Sequence, residues 1–596
     1  MIKKKRYLIT TADELTWKFD QPVIFLGEWC RLYDRKHIWQ GMNSIVAKPY
    51  GSSALKKDTD YFNAKMLEEK LFPELCVLLN GYHGTQHDER FWSIITGHWF
   101  RAIVQLLLNR TNTLLQCLQT DEIYETTVYN SEYSSLASPN WTSAFNSFDN
   151  DQWNNVLNGR ILSLLNNANI SLNYHKKKDS VFVYQGFKYK ALNNELSFKR
   201  KVLKWTQTTY SKIARRFIKN EDAFIMSSYL PAKEEVKLEL SLGQWPQMWN
   251  RFTPKIDLKP DQILRKNLTK KFEHKSENYL ENIIRTLLFE LLPVYYLEAQ
   301  QDLKKIVNEL PWPKSPKFIF TSNNFNTDEI FKLWTAIKVE SGAKYYVGQH
   351  GCNYFTKKNE FPRIEEKTPD KFFTWGWTNE LPKYIPAFIF KTAGRKPLNY
   401  NINGRLLLIE TIQSIRMTTW DSTSEHNEYF KDQKNFVSRL SSTPRQKLTI
   451  RLHALYQDRK YNEDHRWKDF DRSIKVDKGK IAIKHLISDS RLVVHSYDST
   501  GILETLSQNI PTLAFWQNNL DHLRDEVKPY YQLLIDSGIL HLSSKSASSK
   551  VNEIWDNVDV WWNKRDIQEA RKNFCDRLIT NSKNPVKKMT YLLTAK

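Results

Sequence analysis

Residues 491–517, RLVVHSYDSTGILETLSQNIPTLAFWQ, restrict the fold more than any other stretch of the chain. Leu492, Val493 and Val494 form an apolar run of the length of a buried strand. Residues 495–501 read as a polar turn, 502–508 as one short helix and 511–515 as the next strand. That βαβ unit requires a parallel sheet with helices on its faces, and it gathers polar residues at the carboxyl end of a strand. Ser499 and Thr500 suit a helix N-cap, and Gly501 would let a ligand approach the backbone. Free N–H groups and a partial positive charge at a helix start suit a phosphate. Asp498 stands within this turn, and Glu504, one turn further in, is within reach of a sugar hydroxyl. The same residues would also serve an ordinary capped helix.

The alternation extends both ways. Residues 317–321, 344–348 and a segment within 370–377 read as strands around a helix at 328–340. This predicts a Rossmann-like domain closing near Trp377. Residues 399–404 read as a polar linker, after which strands at 406–410, 447–453, 492–494 and 512–515 alternate with helices near 479–487 and 501–508. Upstream, 23–26 reads as the first strand, 64–80 as a helix broken at Pro73, and 91–109 as an apolar helix. Residues 181–184 read as strand-like, 197–218 as a basic helix, and 276–310 as an amphipathic helical stretch interrupted at Pro293. Residues 551–581 read as a helical tail that crosses back over the first domain. The expectation is an α/β chain of two Rossmann-like domains facing across a cleft. The N-terminal one spans 1–398 with an insertion near 130–250, the C-terminal one spans 399–582, and 583–596 is a basic tail. At 596 residues, the chain is long enough for both.

Three constellations could carry chemistry. On the strand 447–453, alternation puts Arg451 and His453 on one face near its end, a sensible clamp for a phosphodiester or diphosphate. Val347-Gly348-Gln349-His350-Gly351 delivers Gln349 and His350 into a turn at the end of a strand. Imidazole titrates near neutrality, so His350 could take a proton from an acceptor hydroxyl. Asp370, twenty residues on, is expected to orient that ring. Glu28 and Glu410, like Asp370, stand at or near strand ends and complete the candidate carboxylates. A surface arginine and a structural histidine are the plainer readings of the first two.

Net charge is +22, spread through clusters such as 3–6, 176–178, 199–201 and 587–588. Such spread suits attraction to an anionic membrane surface better than a dedicated nucleic-acid groove, and no nucleic-acid-binding signature is present. Trp 20, Tyr 28 and Phe 31 supply stacking platforms of the kind sugar-handling proteins use, or simply core. Five separated cysteines suggest neither a zinc site nor a disulfide framework, and the acidic residues after the basic N-terminus argue against a signal peptide. No apolar run reaches the length of a membrane span. A cytoplasmic protein, peripheral at most, is expected. The absence of G-x-S-x-G, P-loop and H-E-x-x-H patterns weakens hydrolase, NTPase and zincin readings.

The stretches FLGEWCRLY (25–33), RFWSIITGHW (90–99), FTSNNFNTDEIFKLWTA (320–336), KYYVGQHGCNY (344–354), DKFFTWGW (370–377), RLHALY (451–456) and VVHSYDSTGILETLSQNIPTLAFW (493–516) resemble a family of bacterial surface-polysaccharide transferases. That family was first noted in spirochaetes and is often encoded among genes for nonulosonic acids. QHG, the strand-borne RxH and the SYDST turn are also similar to motifs of GT-B enzymes using CMP- or CDP-activated donors, including sialyl-, Kdo- and glycerophosphotransferases. The resemblance implies a GT-B glycosyltransferase moving a pseudaminic, legionaminic or sialic type of sugar from a CMP-activated donor to a glycan or lipid-linked glycan acceptor. It implies donor-phosphate contacts from His453 and the turn residues Asp498, Ser499 and Thr500, with the HG histidine, His350, near the reacting centre; Gln349, Arg451, Gly501 and Glu504 complete the expected donor site. The acceptor would enter near Glu28 and Trp29, and a nearby carboxylate would stabilise the oxocarbenium-like centre. No metal or other cofactor is expected, because the phosphate of the leaving group can be met by Arg451 and His453. His-Ala stands where the sialyl enzymes have His-Pro. A CDP-glycerol or other nucleotide-sugar transferase, and a non-catalytic glycan- or nucleic-acid-binding protein, are the alternatives.

Overall fold

The computed structural model describes residues 5–595 apart from 51–53, 121, 167–169, 177–214, 248, 250, 255, 275, 360, 413–425 and 518. The strand expected at 181–184 and nearly all of the basic helix expected at 197–218 lie outside the described residues.

Among the described residues, sixteen strands form three sheets, and every strand pair is parallel. The first unit holds β1 (Arg6–Ile9), β2 (Val23–Phe25), β3 (Ser44–Val46), β4 (Ile123–Asn130) and β5 (Ser171–Lys176) in the order β3-β2-β1-β4-β5. The second holds β6 (Phe224–Ile225), β7 (Phe318–Thr321), β8 (Lys344–Gly348), β9 (Lys371–Thr374) and β10 (Tyr384–Pro386) in the order β10-β9-β8-β7-β6. The third holds β11 (Arg405–Ile409), β12 (Leu448–Arg451), β13 (Lys475–Asp477), β14 (Ser490–His495), β15 (Thr512–Phe515) and β16 (Leu540–His541) in the order β13-β12-β11-β14-β15-β16. The architecture is α/β and GT-B-like in its second and third units. Residues 1–398 carry two parallel sheets rather than one, and part of the expected insertion, β5 and β6, belongs to those sheets.

The central strands are apolar on both faces because helices cover both. Leu492, Val493 and Val494 of β14 and Leu406, Leu407 and Leu408 of β11 are each fully buried. Burying one such side chain contributes about 1.5–3 kcal/mol. The helix Glu89–Thr120 is long and apolar enough to cross a membrane by length and composition, but most of its apolar window is buried inside the protein. It packs against the helices Ala54–His83, Tyr279–Leu291 and Glu329–Glu340, tying the first unit to the second. The helix Ala54–His83 runs through Pro73 without ending there, whereas Tyr279–Leu291 does stop before Pro293.

The second and third units meet through the carboxyl ends of their sheets. Lys358 N–H donates to His522 O (3.0 Å) and Arg524 N–H to Thr356 O (2.9 Å). The first unit touches the third as well. Tyr33 Oη donates to Asp469 Oδ2 (2.6 Å), Arg466 lies over the Tyr33 ring, and Lys460 pairs with Asp151 (3.4 Å). The chain enters the third unit after β10 and returns from it after the helix Arg565–Leu578. On return, Thr580 N–H donates to Trp375 O (2.7 Å), and Ile389 N–H donates to Thr580 O (2.9 Å). The expected basic tail then folds as a helix, Pro585–Thr594, with Met589 and Leu593 buried against the helix Ala232–Ser241.

Candidate functional site

His350 follows β8, where the strand runs out toward the third unit. Its Nδ1 lies 2.7 Å from Tyr354 Oη, and the same hydroxyl donates to Glu365 Oε1 at 2.7 Å. His98, from the helix Glu89–Thr120, approaches the other carboxylate oxygen, Oε2, at 3.1 Å. The rings of Tyr229 and Phe325 flank the imidazole. Burial depresses His350 to about 4, despite the opposing pull of the Glu365 charge, so the ring is neutral at neutral pH. Burial by itself would raise the Glu365 carboxyl. The hydrogen bond from His98, with Arg363 and His350 nearby, outweighs that and holds it well below the usual carboxylate range.

The third unit brings the turn 495–501 to the same place. Ser499 caps the helix Thr500–Ser507 by accepting from Ile502 N–H (3.3 Å). Thr500 Oγ1 accepts from Cys352 N–H (2.9 Å), two residues beyond His350. Glu504 pairs at 3.4 Å with Lys391, whose ammonium lies over the Tyr229 ring beside His350. The structure therefore brings His350, Thr500 and Glu504 to one interface between two units, at the carboxyl ends of their strands, where open α/β sheets hold ligands.

Other predicted residues stand elsewhere or are already engaged. Asp370 precedes β9, and Tyr346 of β8 lies opposite Lys371. Five residues separate its level from His350, about 16 Å along the strand, so Asp370 cannot orient that ring. It instead accepts from Tyr345 N–H (2.8 Å) and pairs with Arg90 (3.2 Å). Gln349 is a brace. Its Oε1 accepts from Trp375 N–H (2.8 Å) and Trp377 Nε1–H (2.7 Å), and its Nε2 donates to Gly351 O (2.8 Å). Asp498 is engaged by His522 (3.0 Å) and Tyr531 (3.4 Å).

The clamp expected of Arg451 and His453 is not formed. β12 ends at Arg451, so strand alternation stops before His453, which is exposed and accepts from Leu455 N–H (3.2 Å). Arg451 turns to Asp477, its register partner on β13, in an ion pair with side chains 12% and 8% exposed. Gly501 has a packing role, since a Cβ there would sit 2.5 Å from His495 Cε1. Glu410, fully buried at the end of β11, accepts from Trp467 Nε1–H (3.0 Å). Burial, with Glu463 nearby, raises its carboxyl well above the ordinary value. Glu28 pairs with Arg31 (2.5 Å) near the first unit's contact with the third. Among the described residues, no group of three or more His, Cys, Asp or Glu side chains is arranged to hold a metal ion.

Sequence reasoning missed His98, Tyr354, Glu365 and Lys391. His98 and Tyr354 lie within the stretches 90–99 and 344–354 that carry the family resemblance, so a signal existed. Glu365 and Lys391 lie in none of them.

Comparison with known proteins adds one strong match. The sequence model of the LIC12162 family transferases covers residues 6–593. No curated protein matches. Among solved structures, the wall teichoic acid polymerase TagF aligns at 10% identity over 49% of this chain and 83% of that one, with a TM-score of 0.27. An enzyme described as a UDP-N-acetylglucosamine 2-epimerase from Listeria monocytogenes aligns at 10% identity over 63% of this chain and 96% of its own, with a TM-score of 0.33. WaaG, a glycosyltransferase involved in lipopolysaccharide biosynthesis, aligns at 10% identity over 63% of this chain and 100% of its own, with a TM-score of 0.26.

Proposed function

We propose a function from one premise: this chain belongs to the LIC12162 family of transferases. It is a glycosyltransferase that moves a nonulosonic acid from a CMP-activated donor to a bacterial surface glycan, free or lipid-linked. The nucleotide sits against the third unit at the start of the helix Thr500–Ser507, with Ser499, Thr500 and Glu504 around it and His453 on the rim. Lys391, close to Glu504, meets the phosphate charge as the bond to CMP breaks. His350 accepts the proton of the acceptor hydroxyl, and the acceptor approaches past the first unit, near Glu28 and Trp29. The +22 net charge keeps the enzyme close to anionic lipid on the cytoplasmic side.

The observation that supports this reading is the meeting of a neutral imidazole with a capped helix start across two α/β units, joined by Cys352 N–H and Thr500 Oγ1 at 2.9 Å. A thermal-shift screen with CMP, CDP, UDP and GDP tests the donor. CMP is expected to stabilise the protein most, and a preference for CDP would replace the donor with a CDP-activated one. His350→Ala should then leave CMP affinity nearly intact while turnover falls about 10²–10⁴-fold. Near-wild-type transfer by a stably folded His350→Ala protein would remove this residue from the mechanism. Salt-sensitive binding of random RNA with no nucleotide affinity would support a non-catalytic role instead.

A further inference from the structure

We infer that Tyr354 and Glu365 are positioning residues for His350: a buried hydrogen-bond chain holds the imidazole proton on Nδ1 and leaves Nε2 as the atom that accepts a proton. The inference rests on the proposed role of His350 as the base and adds which atom acts and what fixes it.

The argument is one of donors and acceptors. Glu365 is a buried carboxylate at 5% exposure, and an ionised carboxylate only accepts. Tyr354 Oη lies 2.7 Å from Glu365 Oε1, so the single phenolic proton is committed there. The phenol stays protonated, since burial and the Glu365 charge raise it well above its ordinary value. Tyr354 Oη can then only accept from His350 Nδ1, 2.7 Å away on its other side. The imidazole must therefore carry its proton on Nδ1. No partner for Nε2 stands among the described residues, and the ring is half-buried. His98 repeats the logic on Glu365 Oε2 at 3.1 Å, so both oxygens are held.

The surroundings fix the ring further. Tyr354 packs edge-on to His350 at 5.4 Å between centroids, and the Arg363 guanidinium lies 4.5 Å from the centre of the Tyr354 ring. Around His350, Arg363, Lys391 and His98 disfavour the imidazolium and Glu365 favours it. Accepting a proton at Nε2 makes an imidazolium that shares both its protons outward, one of them with a chain ending on a full negative charge. The protein meets that charge without moving, as electrostatic preorganisation requires.

The experiment uses the full chain labelled with 13C-histidine, His350 being assigned with His350→Gln. The 13Cδ2 and 13Cε1 shifts report the tautomer without any substrate. The Nδ1–H form is expected in the wild type. Tyr354→Phe keeps the ring and removes the hydroxyl, and Glu365→Gln frees the phenolic proton to turn toward His350. Both are expected to lose the Nδ1–H preference. With the nucleotide donor identified by the thermal-shift screen, Tyr354→Phe should lower kcat about ten- to a hundredfold, with KM within about threefold. An Nε2–H tautomer in the wild type, or a tautomer unchanged in both variants, overturns the inference. So does a Tyr354→Phe enzyme that loses the tautomer and keeps wild-type kcat. If Tyr354→Phe fails to fold, Glu365→Gln carries both readouts. Absence of turnover with every donor would count against the proposed function alone, because the tautomer is read without one.

Discussion

Replacing Arg451 separates two roles that the sequence alone runs together. If the guanidinium holds a ligand phosphate, Arg451→Ala weakens nucleotide binding and leaves the fold alone. The structure assigns the charge to Asp477, with both side chains close to nine-tenths buried. Removing one partner of a buried ion pair strands the other, at a cost of about 3–5 kcal/mol. Asp477 keeps backbone N–H donors from Gly479 (3.2 Å) and Ile481 (3.4 Å), which places the expected loss at the low end, about 3 kcal/mol. For a unit of this size one kcal/mol moves the midpoint by about 2–4 °C, so Arg451→Ala should lower Tm by roughly 6–12 °C. Arg451→Met combined with Asp477→Asn removes both charges at once and should recover at least half of that, because the cost lies in the stranded charge. Differential scanning fluorimetry of the wild type and the two variants, followed by CMP and CDP titrations, makes the comparison. An Arg451→Ala protein that melts within about 2 °C of wild type yet loses nucleotide affinity would refute the assignment.

Four further outcomes are expected. Gly501→Ala must push its Cβ into the His495 ring and should cost about 1–3 kcal/mol of stability; a wild-type Tm would show that the turn relaxes freely. Burial lowers His83, His350 and His541 to about 4 and His495 to about 3, below the unfolded value near 6.5. These groups therefore leave stability intact above pH 6.5 and withdraw it as pH falls toward 4, since the unfolded chain binds protons the folded one refuses; a Tm flat from pH 7 to 4.5 would contradict this. Glu410 has the opposite sign, because burial raises its carboxyl. Its contribution is full below the ordinary carboxylate pKa and is lost as pH rises, so Glu410→Gln should melt closer to wild type, or above it, at pH 8 than at pH 5. Finally, anionic vesicles should retain the protein at low salt and release it as salt rises, whereas equal retention by neutral vesicles would exclude electrostatic docking.

Much of the third unit was legible because its strands carry strong apolar patterns, one continuous and one alternating. The run 492–494 and the alternating Leu448, Ile450 and Leu452 leave little choice but a covered parallel sheet. The first unit was hidden because its strands are short or polar: β1 begins inside a basic cluster and β4 carries Glu125, Thr126 and Thr127. At the site, strand ends could be guessed but not which end. Asp370 and His350 lie close in sequence but at opposite ends of neighbouring strands, since β9 begins level with the start of β8. Arg451 and His453 were separated by the strand stopping two residues early, at Arg451. The chain from His350 to Glu365 runs through the irregular loop after β8, where no periodicity reports on contacts. Donor counting recovers it only once distances are known.

The return of the chain after Leu578 has a mechanical consequence. Two strands of backbone join the second and third units, one leaving near Ile389 and one arriving at Thr580, and they are stitched to each other by the 2.9 Å bond from Ile389 N–H to Thr580 O. Two crossings tied side by side constrain the relative placement of the units more than one flexible linker would. The returning segment is held on the second unit's side, where the helix Pro585–Thr594 buries Met589 and Leu593. The paired crossings and the bond from Cys352 N–H to Thr500 Oγ1 (2.9 Å) thus fix the two halves of the site in one register.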